Sequence, residues 1–344
     1  MEQAEVAVIA VPLAAQGHLN QMMHLSCLIA SYGLPVFFVG SALHNRQAKA
    51  RINGLSPQQL LNIQFHDIIT PPFASPAPDP NSPNKFPAQL HPAWAAMLNL
   101  RHPVAAYLRD MATKFRRVVV VHDSMMAFVV QDVASIPNSE SYAFNTSSAF
   151  TQVYFIWNSL GKPFPVEHPK ELLPFEGIIP DEVAHSFSVH LEPLSYRAGD
   201  IYNICRSIEA PYMEVLEREE VRGNRKIWAT GPMLPTLSSS ASNQTEREHK
   251  CFQWLDKQEQ KSVIYVSFGT TVSLSDEQIN ELAHGLERSK VKFLWVLRDA
   301  DKDSTRPEMG MREFRNLVGD KEALDHRPEM GMREFQNSVG DKEA

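Results

Sequence analysis

The chain has 344 residues, 43% of them hydrophobic, which is enough for two domains with packed cores. Its 33 basic and 40 acidic residues leave a net charge of -7, and residues 114–117 form the only basic cluster, so nucleic acid is not an expected partner. The three cysteines lie far apart, Glu2 and Glu5 precede the first apolar run, and no segment reaches the roughly 18 apolar residues of a membrane helix. These features predict a cytoplasmic protein with reduced thiols, no signal peptide and no membrane anchor.

The first part of the chain alternates between strands and helices. Residues 6–11 hold only valine, isoleucine and alanine, which is typical of a strand buried on both faces of a parallel sheet. The next predicted elements are a helix from His18 to a cap at Gly33, a strand at 34–39, a helix at 41–52 and a strand at 63–66. This β-α-β-α-β order predicts a parallel, doubly wound sheet.

Two proline-rich segments interrupt this alternation. Residues 71–92 hold eight of the 24 prolines together with Phe86, and residues 161–180 are again rich in proline. Such segments favour loops that lie over a cleft. Helices are predicted at 93–112, 125–133, 146–160 and 209–219, and strands at 118–121, 142–145, 200–205 and 227–230.

Two candidate catalytic residues, His18 and Asp123, each follow a buried strand. Because the carboxyl ends of parallel strands meet at one edge of a sheet, we expect the two side chains to lie close together. Histidine can take a proton from a hydroxyl at neutral pH, and a carboxylate on its other ring nitrogen would fix the tautomer and stabilise the imidazolium. The pair is interpreted either as a general base with its partner or as two helix caps. Ser124, which directly follows Asp123, makes the capping interpretation credible.

The start of the helix predicted at 146–160 faces the same sheet edge. Asn145, Thr146, Ser147 and Ser148 present hydroxyl groups and free backbone amides there. They are interpreted either as ligand contacts or as an ordinary N-cap.

A second domain is predicted to begin at His249, after the serine-rich segment 235–248, which has the composition of a linker. Its predicted elements are a helix at 251–257, a strand at 262–268, a helix from Ser275 to Arg288 with Glu277 completing a capping box, and a strand at 292–297. The loop 269–271 between strand and helix is a candidate phosphate site, because backbone amides and hydroxyls point at the anion. It lacks the GxGxxG pattern and the Walker lysine, so neither a dinucleotide fold nor a P-loop is indicated.

Three aspartates, Asp299, Asp301 and Asp303, follow the last predicted strand. Closely spaced carboxylates can chelate a divalent cation with a diphosphate. A charged, solvated turn is the favoured interpretation, and we expect no metal.

The C-terminal residues repeat one segment. Residues 306–323 and 327–344 differ only where Arg315 and Leu317 are replaced by Gln336 and Ser338. The repeated segment is charged and has few apolar residues, so it cannot extend a hydrophobic core. The stretch 304–344 is therefore predicted to be a disordered tail.

Five segments between about residues 5 and 303 carry a family resemblance: VPLAAQGHLNQMMHLS, HDSMMAF, GDIYNICRSIEAPYMEVLE, WLDKQEQKSVIYVSFGT and FLWVLRDADK. Together they resemble the plant family of UDP-sugar-dependent small-molecule glycosyltransferases. Within the family, QGHLNQ, YNICRSIE and RDADK are most similar to the zeatin O-glycosyltransferases.

The resemblance implies an α/β fold with two Rossmann-like domains of the GT-B type, the C-terminal one incomplete. The acceptor-binding domain would span 1–234, the linker 235–248 and the partial donor-binding domain 249–303. His18 would deprotonate an acceptor hydroxyl and Asp123 would orient it, so that direct displacement inverts the anomeric carbon. The donor would contact Gly17, Ser267, Gly269 and Thr270, and the acceptor would contact Asn20, Phe86, Asn145 and Ser147.

The implied reaction moves glucose or xylose from a UDP-sugar to a cytokinin-like or phenolic hydroxyl. The UDP-sugar is a co-substrate, no metal or other cofactor is implied, and the protein is expected to act as a monomer. Nothing after Asp303 resembles the family's donor signature, so the chain is expected to be C-terminally truncated. The alternative function is that of a catalytically inactive homologue that at most binds the acceptor.

Overall fold

The computed structural model describes residues 4–49, 60–74, 90–159, 163–168, 188–233, 250–269, 274–298 and 314–319. Among these, the residues up to 233 fall into one unit and those from 250 onwards into a second. The predicted linker, 235–248, lies outside the described residues. None of the described helices combines the length and apolar character needed to cross a membrane.

The first unit is built on a sheet of seven parallel strands, which confirms the predicted doubly wound sheet. In chain order the strands are β1 Ala4–Val11, β2 Val36–Ser41, β3 Ile63–Ile68, β4 Phe115–Asp123, β5 Ser139–Asn145, β6 Gly199–Tyr202 and β7 Lys226–Ala229. Across the sheet they follow the order β3-β2-β1-β4-β5-β6-β7, and every neighbouring pair is parallel.

Helices and short 3-10 turns connect these strands. The described helices are α1 Gln16–Ser31, α2 Ala42–Lys49, α3 His91–Met97, α4 Arg101–Lys114, α5 Ala127–Val130, α6 Ala149–Ser159, α7 Leu191–Leu194, α8 Arg206–Leu216 and α9 Glu219–Arg222. The 3-10 turns are Leu98–Leu100, Ser124–Met126 and Gln131–Ser135.

Two of the differences from the predicted helices have a local cause. The single helix expected at 93–112 is divided into α3 and α4 because Pro103 has no backbone N–H to donate to the carbonyl of Asn99. The helix expected from Thr146 begins instead at Ala149, since the Ser148 hydroxyl accepts a hydrogen bond from the Thr151 N–H at 3.1 Å and acts as the cap.

The central strands are buried on both faces, which explains their uncharged composition. Alternate residues of β1 enter two different clusters: Ile9 packs on one face with Val118 and Val120, and Ala10 packs on the other with Val121. The strand pattern is therefore that of an interior parallel strand.

Three histidines of the first unit, His44, His122 and His190, are buried. Burial is the main reason that the pKa of each is lowered from 6.5 to about 4. Between these two pH values the unfolded chain binds protons that the native chain does not. The free energy of unfolding is therefore expected to fall as the pH drops from about 6.5 towards about 4, by up to about 1.4 kcal/mol per pH unit for each histidine.

Urea unfolding at about pH 7.5, 6 and 5 measures this effect. The variant His122→Asn is expected to lose part of the pH dependence, whereas His102→Gln, on the exposed face of α4, is expected to keep it. A free energy of unfolding that does not change over this range would contradict the prediction.

The second unit contains a three-stranded sheet and two helices in its described part. Its elements are α10 Lys250–Leu255, β8 Val263–Ser267, α11 Asp276–Ser289, β9 Lys292–Arg298 and β10 Phe314–Gly319. Strand β9 lies between β8, to which it is parallel, and β10, to which it is antiparallel. Ser275 forms the predicted capping box, but its partner is Gln278 and not Glu277, because the helix begins at Asp276 and its third residue is Gln278.

The expected disorder of 304–344 does not hold for Phe314–Gly319, which lies in the first copy of the repeated segment. These residues form β10 along the edge of β9, with Phe314 opposite Arg298. A strand edge carries unpaired N–H and C=O groups that another segment can pair with, whether or not that segment adds to a core. The second copy, 327–344, lies outside the described residues.

Candidate active site

The structure brings together His18 and Asp123, which are 105 positions apart in the sequence. Strand β1 ends at Val11, which is opposite His122 of β4, so the loop after β1 and the end of β4 lie at the same sheet edge. Helix α1 begins within that loop and carries His18 in its first turn. The Nδ1 atom of His18 lies 2.6 Å from Oδ2 of Asp123.

The two oxygens of Asp123 have different partners. Oδ2 contacts His18, while Oδ1 accepts a hydrogen bond of 2.9 Å from the backbone N–H of Met125 and caps the 3-10 turn after β4. The two sequence interpretations of Asp123 are therefore compatible. The capping interpretation of His18 is not supported, because it lies within α1 and its ring bonds to Asp123.

The His18 ring is partly exposed and its carboxylate partner is not. The His18 side chain is 29% exposed and the Asp123 side chain 1%. With Nδ1 directed at Asp123, the lone pair of the neutral ring is placed on Nε2. This arrangement leaves one ring nitrogen available to a hydroxyl group.

Two opposing effects set the pKa of His18. Burial lowers it, but the negative charge of Asp123 and its hydrogen bond to the ring together outweigh burial, so the pKa is raised above 6.5. The neutral ring is therefore a stronger base than an ordinary histidine, and the basic form is populated as the pH rises through this pKa.

Thr146, which the sequence analysis interpreted as a ligand contact or part of an N-cap, is a further contact of His18. Its Oγ1 lies 2.9 Å from His18 Nδ1, and its carbonyl accepts a hydrogen bond of 3.3 Å from the side chain of Gln21 on α1. The sequence feature that could have indicated this contact is the position of Thr146 immediately after β5, at the sheet edge that carries Asp123. Thr146 thus helps to orient the ring and ties α1 to the start of α6.

The predicted acceptor contacts have different surroundings. Asn145 is 4% exposed, and its amide donates to the Ala143 carbonyl at 3.5 Å. The Ser147 hydroxyl accepts a hydrogen bond of 2.7 Å from the side chain of Gln152. Asn20 is half-buried on α1, and Phe86 lies outside the described residues. Contact of these four residues with an acceptor stays a prediction.

The predicted donor contacts are distributed over both units. Gly17 is exposed in the first turn of α1, and a Cβ atom there would meet nothing within 4 Å. Ser267 ends β8 in the second unit, and its hydroxyl accepts from the N–H of Gly269 at 3.4 Å. Gly269 has a φ of 71°, which glycine adopts without the strain that a side chain would cause. Thr270 lies outside the described residues.

A small cavity is lined in part by Met125, the neighbour of Asp123 two positions along the chain, and the sequence analysis did not predict it. Its apolar walls come from separate elements: Leu13, Trp94, Met97, Leu98, Met125 and Met126. His190 completes the lining. Leu13 belongs to the loop before α1, and Met125 is the residue whose N–H binds Asp123. The cavity is therefore connected to Asp123 through Met125, while neither His18 nor Asp123 lines it.

In the described part of the chain, no three His, Cys, Asp or Glu residues lie close enough together to hold a metal ion. Asp299, Asp301 and Asp303 lie outside the described residues.

Comparison with known protein families shows which family the chain belongs to. Residues 4–235 match the family described as glycosyltransferase, N-terminal domain, and residues 198–313 match UDP-glucoronosyl and UDP-glucosyl transferase. The zeatin O-glucosyltransferase of Phaseolus lunatus is 45% identical over 87% of this chain, and the zeatin O-xylosyltransferase of Phaseolus vulgaris is 43% identical over 88%. The chain spans 64% of the length of each of these two relatives.

Solved structures agree on the fold. UGT73P12 of Glycyrrhiza uralensis superimposes with a TM-score of 0.65 at 22% identity, over 85% of this chain and 62% of that one. UGT89C1 of Arabidopsis thaliana gives a TM-score of 0.58 at 22% identity, over 87% of this chain and 65% of that one. These likenesses, together with the parallel sheet, confirm the α/β class with Rossmann-like domains of the GT-B type. By its matched domains and relatives, the chain belongs to the plant family of UDP-dependent glycosyltransferases, which includes the zeatin O-glycosyltransferases.

Proposed function

We propose that the protein transfers glucose or xylose from a UDP-sugar to a hydroxyl group of a small plant acceptor such as zeatin, with inversion at the anomeric carbon. The observation that carries the proposal is the 2.6 Å contact between Nδ1 of the partly exposed His18 and the buried Asp123 carboxylate. The choice of sugar and acceptor is supported by the named activities of the two Phaseolus relatives.

The proposed reaction is a single displacement. The neutral Nε2 of His18 takes the proton of the acceptor hydroxyl while the oxygen forms a bond to the anomeric carbon. The bond from that carbon to the diphosphate oxygen breaks, and UDP leaves with the electron pair. Attack opposite to the leaving group inverts the configuration, and the transition state is oxocarbenium-like.

The proton is proposed to stay on His18 until UDP departs. The imidazolium formed there is stabilised by the Asp123 side chain, whose Oδ2 lies 2.6 Å away and which is shielded from water. Because Nδ1 donates to this carboxylate, the ring cannot rotate to present the wrong nitrogen. The pair therefore supplies both the base and its orientation.

The proposed donor site uses neutral groups at the diphosphate. The Ser267 hydroxyl would donate a hydrogen bond to its oxygens, and Gly269 and Thr270 are proposed as further contacts of the diphosphate. Such donors stabilise a leaving diphosphate by oriented dipoles, and the proposal includes no metal ion and no other cofactor. We propose that a monomer carries out the reaction in the cytoplasm.

The test is a product assay combined with calorimetry. Purified protein is incubated with trans-zeatin and either UDP-glucose or UDP-xylose, and the glycoside is identified by mass spectrometry and its anomeric configuration by NMR. The expected product is the β-glycoside, because the donor is α-linked and the reaction inverts. An α-linked product would contradict the mechanism, and zeatin binding without UDP binding or turnover would favour the alternative function of acceptor binding alone.

A further inference from the structure

Helix α1 contacts Thr146 at two points that lie one turn apart. The Thr146 hydroxyl lies 2.9 Å from Nδ1 of His18, and the Thr146 carbonyl accepts a hydrogen bond of 3.3 Å from the side chain of Gln21. Residues three positions apart lie on the same face of a helix, so one orientation of α1 produces both contacts. Gln21 takes no part in the proposed proton transfer, but it binds the same threonine as the proposed base.

Asn203, which directly follows β6, extends this contact away from the base. Its Nδ2 donates a hydrogen bond of 2.7 Å to Oε1 of Gln21, and its Oδ1 accepts one of 2.8 Å from the backbone N–H of Met233. Three hydrogen bonds in series, which we call the relay, therefore run from Met233 to Thr146. The relay joins the segment after β7 to helix α1 and to the start of α6.

The direction of each bond in the relay is fixed by its two ends. The Met233 N–H can only donate, and the Thr146 carbonyl can only accept. Both amide side chains between them must then direct their oxygen towards Met233 and their nitrogen towards Thr146. Turning either amide over would place donor against donor or acceptor against acceptor, so Gln21 cannot exchange its partners without breaking the relay.

Close packing holds Asn203 in this arrangement. A Cβ atom on Gly231 would lie 2.4 Å from Oδ1 of Asn203 and 2.6 Å from its backbone carbonyl carbon, so a residue with a side chain does not fit there. The ring of His24, one turn after Gln21 on α1, also bonds to the backbone of Met233. Helix α1 is therefore attached to this segment at two successive positions, and the Gln21 amide is held from behind.

The Thr146 hydroxyl affects which ring nitrogen of His18 is basic. Asp123 and Thr146 both present an oxygen atom to Nδ1 of His18, at 2.6 and 2.9 Å. An N–H group at Nδ1 can donate to both oxygens, whereas a lone pair there would face the lone pairs of the carboxylate. The two oxygens together therefore keep the proton on Nδ1 and the lone pair on Nε2. The hydroxyl stays at this place only while the Thr146 backbone is held.

We propose that Gln21 is a positioning residue for the base: by holding the Thr146 carbonyl, it keeps the Thr146 hydroxyl on Nδ1 of His18. Asn203 determines which end of the Gln21 amide faces Thr146, and so it acts through Gln21. The relay thereby restricts the ring to the orientation in which Nε2 is free for the acceptor hydroxyl. This inference rests on the proposed function, because it assigns a cause to the orientation of the base in that reaction.

Two single substitutions and their combination separate this role from a structural one. Gln21→Met keeps an unbranched side chain with a good helix propensity and removes both side-chain hydrogen bonds. Thr146→Val removes the hydroxyl and keeps the shape of the side chain. If Gln21 acts through Thr146, Gln21→Met has no further effect in the Thr146→Val background, whereas independent effects would multiply. The matched control is Gln64→Met, at an exposed position of β3.

The first measurement follows His18 in the full chain without any substrate. With isotope-labelled histidine, NMR at a pH above the pKa of His18 detects the proton on Nδ1, and His18→Ala identifies its signal. Exchange of this proton with water is expected to be about tenfold faster in Gln21→Met and in Thr146→Val, and no faster in the double variant. Thermal melting monitors the fold. If Gln21→Met does not fold, Asn203→Ser, whose shorter side chain no longer reaches Gln21, takes its place in the comparison.

The second measurement is the transfer reaction. Gln21→Met is expected to lower kcat by about tenfold, because a base that leaves its productive orientation meets the acceptor hydroxyl less often. The KM for trans-zeatin is expected to stay unchanged, since the substitution acts on the base and not on binding of the acceptor. Gln64→Met is expected to change neither value.

The outcomes distinguish this inference from the proposed function. An exchange rate in Gln21→Met equal to that of the wild type, effects of the two substitutions that multiply, or no Nδ1 proton in the wild type would overturn the role of Gln21. Exchange that depends on Gln21 and Thr146 in a protein that forms no glycoside would support the inference and contradict the transfer reaction. If glycoside forms at a rate that does not depend on Gln21, the transfer reaction stands and the positioning role fails.

Discussion

Replacing His18 by alanine is expected to lower the rate of sugar transfer by about 10²- to 10⁴-fold, because no other group takes the acceptor proton in the transition state. The loss should appear in kcat more than in the KM for the acceptor, since the apolar lining of the cavity is unchanged. The measurement is the initial rate of glycoside formation at saturating trans-zeatin and UDP-glucose.

The matched control for His18→Ala is His102→Ala. His102 is an exposed histidine on α4, and its replacement is expected to leave the rate unchanged. If His18→Ala kept most of the wild-type rate, His18 would not be the base and the mechanism proposed above would be wrong.

Replacing Asp123 by asparagine is expected to lower kcat by about 10²-fold or more while keeping the fold. The amide oxygen can still accept from the Met125 N–H, as Oδ1 of Asp123 does at 2.9 Å. The amide nitrogen, however, would donate to Nδ1 of His18 and place the ring proton on Nε2, where the lone pair is needed. A rate close to that of the wild type would show that the carboxylate does not hold the tautomer.

The pH dependence of the remaining activity gives a second measurement on Asp123→Asn. In the wild type the rate should rise with pH through a pKa above 6.5, because the neutral ring is the base and Asp123 raises its pKa. Without the carboxylate charge, burial alone acts on the ring and lowers its pKa. The rising limb is therefore expected to move to lower pH in the variant, and an unmoved limb would mean that another group titrates.

The sequence predicted the parts of this protein that depend on local patterns. Uncharged runs of β-branched residues mark β1 and β4 as interior strands, and the strand–helix alternation indicates a parallel sheet. Once the sheet is parallel, the residues after β1 and β4 must meet at one edge, so the approach of His18 and Asp123 followed from topology.

Errors arose where a neighbouring residue or strand changes the local pattern. Pro103 interrupts a helix whose apolar spacing continues through it. In the repeated C-terminal segment, composition predicted disorder, whereas pairing with the edge of β9 orders Phe314–Gly319. Both cases depend on backbone hydrogen bonds, which composition does not represent.

The sequence by itself predicts the strands, the helices and the sheet edge at which the candidate base lies, because periodicity and caps act over a few residues. The contact of Thr146 with His18, 128 positions away, and the hydrogen bond from the Phe128 N–H to His190, 62 positions away, arise only when the chain is folded. Side-chain distances between remote segments depend on how strands, loops and helices pack in three dimensions, and no local pattern encodes them. The cavity lined by Leu13, Trp94 and His190 exists for the same reason, since its walls come from loops and helices that are far apart in the sequence.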